Sequence, residues 1–200
     1  MFKRLLAMST LLLFSVGANA GIVVALDGTS ATAGGFNWIY DVTLEPDSLM
    51  SRSDYFVLYD IPGVTNPVWA PNTIDTDGVV TGVPDASKWS VATLASGPVP
   101  PFLNPIDNGG LPNVLVTLAD NTTIMPRSKD VAGLLLGKLT VTSPVGNEGI
   151  IDYASQAAQL SGSELRVVGG VAGPVPEPST VGMMVAGLAA AMGFALRRRR

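Results

Sequence analysis

Phe36-Asn37-Trp38-Ile39-Tyr40-Asp41-Val42-Thr43-Leu44-Glu45 alternates along its length. Phe36, Trp38, Tyr40, Val42 and Leu44 fall on one side of an extended chain. Asn37, Asp41, Thr43 and Glu45 fall on the other, with Ile39 the exception. Successive strand side chains point to opposite faces, so this stretch predicts a strand with one buried and one wet face. Working outward, Asp54-Tyr55-Phe56-Val57-Leu58-Tyr59-Asp60-Ile61 predicts a second strand, stopped by Pro62-Gly63. Further short strands are predicted at 21–26, 79–81, 89–94, 114–119, 134–143, 150–153 and 165–168. Residues 95–111, with four prolines and Asn108-Gly109-Gly110, predict a loop. Trp69, between Pro67 and Pro71, is also placed in a loop. Only Ala154-Ser155-Gln156-Ala157-Ala158-Gln159-Leu160 leans towards helix. Short strands punctuated by Gly and Pro turns imply an all-β domain, a β-sandwich with a jelly-roll-like path as one form.

Composition narrows the chemistry. The chain holds no cysteine and no histidine. Disulfides are therefore absent, and burial alone must stabilise the domain. The usual general base, the commonest metal ligand, and every Ser-His-Asp or Cys-His arrangement are missing together. Residues 21–176 carry 15 acidic against six basic side chains, a net charge of −9. A nucleic-acid surface needs clustered Lys and Arg, so no nucleic-acid partner is expected.

The N-terminal stretch has three parts in order. Lys3 and Arg4 are a positive start, residues 5–16 are apolar, and Ala18-Asn19-Ala20 is a small-x-small cleavage site. This is the pattern of a secretory signal peptide over residues 1–20, too short for a typical membrane span. It implies passage through the general secretion machinery. Residues 169–174, Gly-Gly-Val-Ala-Gly-Pro, read as a flexible spacer after a domain at 21–168. Residues 175–180 follow, with Pro176-Glu177-Pro178 stiffened by two prolines. Residues 181–196 are uncharged and apolar, and Arg197, Arg198, Arg199 and Arg200 follow. As a helix, 181–196 would span about 24 Å, against about 30 Å for a bilayer's hydrocarbon core. Arginines reaching for the interface make up part of the difference and mark the cytoplasmic side. A transient membrane helix is the expectation.

This order of motif, apolar run and basic cluster resembles the PEP-CTERM sorting signal of Gram-negative bacteria. The resemblance covers about 25 residues and rests on Pro176-Glu177-Pro178, residues 181–196 and Arg197–Arg200. It implies an exosortase partner, a membrane-embedded, transpeptidase-like enzyme that processes its substrate at or near Pro-Glu-Pro. It also implies a cell-surface or matrix protein linked to exopolysaccharide, biofilm or floc.

Within the domain, candidate chemistry is sparse. Asp75 and Asp77 precede Gly78 at the alternate spacing of an oxygen-ligand loop for calcium. The EF-hand pattern fails, because its first and twelfth positions would be Thr73 and Pro84. Asp41, Glu45, Asp54 and Asp60 flank the two strongest strands but have no spacing that sets a catalytic pair. Trp69 is the aromatic residue offered to a sugar, since loop aromatics are free to stack. The expectation is a non-enzymatic exported protein without a cofactor, structural or adhesive in role. A carbohydrate-binding module and a secreted polysaccharide hydrolase are the alternatives.

Overall fold

The computed structural model describes residues 21–72, 86–126 and 132–176. Among the described residues, ten strands form two sheets: β1 (Ile22–Thr32), β2 (Gly35–Leu44), β3 (Ser48–Leu49), β4 (Tyr55–Leu58), β5 (Thr65–Pro71), β6 (Trp89–Leu94), β7 (Asn113–Leu118), β8 (Leu134–Ser143), β9 (Glu148–Gln159) and β10 (Glu164–Pro174). One sheet runs β1-β2-β8-β5. The other runs β10-β9-β4-β7-β6, with β3 paired to β9 beside β4. All recorded pairings are antiparallel. The β4–β5 and β8–β9 connections both cross between sheets, and β4 pairs β9 while β5 pairs β8. The two crossing ribbons thus run side by side around the core, the wrapping found in jelly rolls.

The opening alternation holds. Trp38, Tyr40, Val42 and Leu44 of β2 are fully buried or nearly so. They meet Phe56 and Leu58 of β4, Val114 and Val116 of β7, and Leu139 and Val141 of β8 in one core. On the wet face of β2, Asp41 stands opposite Lys138, whose Nζ is 2.5 Å from Asp41 Oδ1 and 2.9 Å from Asp27 Oδ2. The three charges tie β1, β2 and β8 together across the outer face.

Three expectations are corrected. Residues 65–71 form β5, although Pro67 and Pro71 argued for a loop. A strand at a sheet edge needs no N–H on its open side, so proline is tolerated there. Pro67 also falls where the β5–β8 register shifts, between Thr65 and Val68, and Asn66 there has φ +46°. Residues 154–159 continue β9 and are not helical. Ala154, Ser155 and Ala157 are buried in a central strand, and Ser155 Oγ donates to Ile22 O at 2.9 Å. Small side chains here let neighbouring layers approach, which outweighs helix propensity.

The spacer expected at 169–174 is the second half of β10. It stays in register with β9 from Glu164↔Ala158 to Pro174↔Glu148. Its glycines mark close approach. A Cβ on Gly169 would lie 2.6 Å from the Tyr153 ring, and one on Gly173 would lie 2.5 Å from Ile151 Cδ1.

Among the described residues, no helix is long and apolar enough to cross a membrane. The expected signal peptide at 1–20, with Ala18 and Ala20, lies outside the described residues, as do the expected strand at 79–81, the span at 181–196 and Arg197–Arg200.

Candidate functional site at the C-terminal exit

One end of the sandwich gathers everything that surrounds the exit of the chain towards the Pro-Glu-Pro motif. Pro174 pairs with Glu148, Leu58 with both Tyr153 and Val114, and Leu94 with Asn113. The end of β10, the start of β9, the turn after β4 and the long β6–β7 loop at 95–112 therefore lie at the same end. Val175 N–H donates to Asn147 O at 3.0 Å, which continues the ladder one residue past β10. Pro176 is then exposed. A shallow cleft of about 220 Å³ opens there, lined among others by Asp60, Ile106, Ile150, Asp152, Val175 and Pro176.

The β6–β7 loop is pinned to this end by side chains accepting its backbone N–H groups. Asp107 Oδ2 accepts from Gly97 N at 3.0 Å and Ser96 Oγ at 3.1 Å. Asp152 Oδ2 accepts from Ile106 N at 2.7 Å, and Asp60 Oδ1 from Asn108 N at 2.8 Å. Asn113, fully buried, ties the set together: its Oδ1 accepts from Asp60 N and its Nδ2 donates to Asp107 Oδ1. Tyr59 OH donates to Pro98 O at 2.6 Å, holding the loop's first turn over the outer face of the sheet. There Tyr59, Val57 and Ala154 form a second small apolar cluster.

These contacts set the local electrostatics. Desolvation pushes the Asp107 carboxyl up, but its bonds from Asn113, Gly97 and Ser96 outweigh that and hold it below the usual carboxylate range. Asp60 sits above that range, through burial first and then the charges of Asp107 and Asp152, against the lowering bond from Asn108. The aspartates are thus occupied as loop anchors. Among the described residues, no group of three or more His, Cys, Asp or Glu side chains could hold a metal.

Asn113→Ala is expected to leave Asp60 N–H and one Asp107 oxygen without their buried partner. The loss should be about 1–3 kcal/mol, read by urea unfolding, with faster amide exchange at Gly97 and Ile106.

The remaining sequence candidates fall elsewhere. Trp69 is 7% exposed, so it is a core residue and not a surface platform. Its ring centroid lies 5.4 Å from Phe56 and 5.1 Å from Trp89. Asp54 and Asp60 sit at opposite ends of β4, and Asp54 Oδ2 is engaged by Ser51 N and Oγ at 2.8 and 3.1 Å. Asp41 is held by Lys138. Asp75 and Asp77 lie outside the described residues, as do Glu177 and Pro178.

Sequence reasoning missed Asn113 and the anchoring roles of Asp107 and Asp152. It also passed over Phe102 and Ile106, although two large apolar residues in a proline-rich loop are a readable signal.

No curated protein and no solved structure matches the chain. Residues 174–200 match the model of the PEP-CTERM protein-sorting motif, beginning at the last residue of β10, and this motif marks the chain as an exported, exosortase-targeted protein processed at the membrane of the cell envelope.

Proposed function

We propose that the chain is a structural or adhesive component of an exopolysaccharide-rich biofilm or floc, presented at the outer surface of a Gram-negative bacterium. In this reading residues 1–20 are removed on export and residues 181–196 insert in the inner membrane with Arg197–Arg200 inside. The exosortase then acts at or near Pro176-Glu177-Pro178, and the sandwich is released or attached at the envelope. The domain acts without catalysis, through its acidic, all-β surface.

The observation that carries this reading is the placement of the sorting motif. It starts where the folded ladder ends, at Pro174, and Pro176 is exposed. An enzyme at the membrane can therefore take hold of a segment that begins past the ladder, with two prolines in its sequence, without unfolding the domain. The carbohydrate-binding alternative loses the residue on which it rested, because Trp69 is inside.

Mass spectrometry of the mature protein from its native host is expected to find no peptide containing Arg197–Arg200. An intact basic end on the surface protein would defeat the processing scheme. The adhesive role is separable: a deletion strain should lose floc or biofilm mass, and normal mass would reject it.

A further inference from the structure

We propose that the end of the sandwich around Pro176 is a lipid-facing surface, on which Phe102, Ile106 and Ile150 seat the domain against the bilayer during processing. This rests on the reading of residues 181–196 as a membrane segment.

Covalent reach comes first. Five residue steps separate Pro176 from Val181, which span at most about 18 Å fully extended. Once residues 181–196 are in the bilayer, the face bearing Pro176 lies within that distance of the interface. No other face of the domain is so constrained.

The same end exposes apolar side chains that the core does not use. Phe102 is 99% exposed, Ile106 73% and Ile150 72%. Ile106 and Ile150 border the cleft beside Pro176. Phe102 projects from the loop between two buried prolines, Pro100 and Pro105. It also has φ +68°. A bulky side chain in the left-handed region is an outlier, and such strain persists only where the surroundings impose it. Here the tight turn Pro100–Leu103 imposes it, with Pro101 in its second position and Leu103 N–H donating to Pro100 O at 3.2 Å, and the domain gains no packing from the ring. A rigid, projecting aromatic beside two exposed isoleucines has the chemistry of an interfacial wedge.

Charge decides the kind of attachment. Asp60, Asp107, Asp152 and Glu148 surround the patch, and no lysine or arginine sits among the lining residues. Attraction to anionic headgroups is therefore excluded as the driving force, and the contact depends on apolar insertion with the tether in place.

The chain's lack of cysteine makes the test direct. Asn104→Cys, exposed and two residues from Phe102, is labelled with an environment-sensitive fluorophore. Ser161→Cys, in the β9–β10 turn at the far end, is the control. The tailed chain, purified from a host without exosortase, is placed in phosphatidylcholine vesicles containing a lipid with a nitroxide just below its headgroup.

The label at 104 should be quenched about threefold more strongly than the label at 161. Combined Phe102→Ser, Ile106→Ser and Ile150→Ser substitutions should abolish the difference while the chain still floats with the vesicles. A floating chain with both labels equally exposed to water overturns the lipid-facing surface alone. A label shielded only when exosortase is added overturns it in favour of the enzyme as the occupant. A chain that does not float overturns the membrane reading and this proposal with it.

Discussion

Trp69→Ala should remove about 3–5 kcal/mol of unfolding free energy, the range for deleting a large buried aromatic. The reason is where the ring sits. β5 contributes it from the edge of one sheet, and it fills the space against Phe56 of β4 and Trp89 of β6 in the other. Both ring pairs are tilted, at 59° and 58°, a favoured geometry for aromatic quadrupoles. Removing the indole leaves a cavity between two sheets whose strands cannot close on it without breaking their ladders. Trp69→Phe should cost far less. It keeps most of the ring, and the Trp69 Nε1 donor is buried without a hydrogen-bond partner among the described residues. Domains are stable by about 5–15 kcal/mol in all, so the alanine variant should lose about a fifth or more of its stability. Urea unfolding of the three proteins decides it. A loss below about 1 kcal/mol in Trp69→Ala would mean that the ring is not clamped between the sheets, and would restore it as a surface residue open to a ligand.

The same residue shows what was legible in the sequence. β2, β4, β6, β7 and β8 could be read because their aromatic and branched residues supply a period of two and strong strand preference. β5 could not, because two prolines outweighed that signal, and only the three-dimensional position at an edge makes them harmless. β9 and β10 were half-read for a different reason. Their second halves are built of Ala, Ser and Gly, whose local preferences point to helix or coil. Those small residues were selected by close neighbours, the Tyr153 ring over Gly169 and Ile151 with Tyr40 OH against Gly173. Such contacts are long-range and leave no periodic trace.

The site divides in the same way. The sorting motif was legible because its signal is linear: a proline pair, an apolar run and a basic cluster in fixed order. The exit surface was not, since Asp60, Asp107, Asn113 and Asp152 come from separate segments and meet only through the pairings of β4, β7 and β9.

Cutting the chain back tests where the domain ends, and the two cuts should behave in opposite ways. A chain ending at Pro176 should fold with the stability of the full exported domain, since every strand, Val171 and the Val175–Asn147 bond remain. A chain ending at Ser163 should fail to fold. It lacks all of β10, uncovers the β9 edge over its 11 paired positions, and opens the core at Val171. Tyr153, 6% exposed, loses Gly169 beneath its ring, and Gly21 loses Val167. Losing a full-length strand from a sandwich removes more than the few kcal/mol by which such domains exceed their unfolding threshold. Circular dichroism and urea unfolding of both chains give the answer. If the shorter chain folds with undiminished stability, β10 is dispensable and residues 169–174 act as the spacer that composition suggested. If it unfolds, β10 belongs to the folding unit and a cut inside the ladder would destroy the domain. A cut at any bond in residues 175–180, as the proposed scheme has it, keeps β10 whole and leaves the fold unaltered.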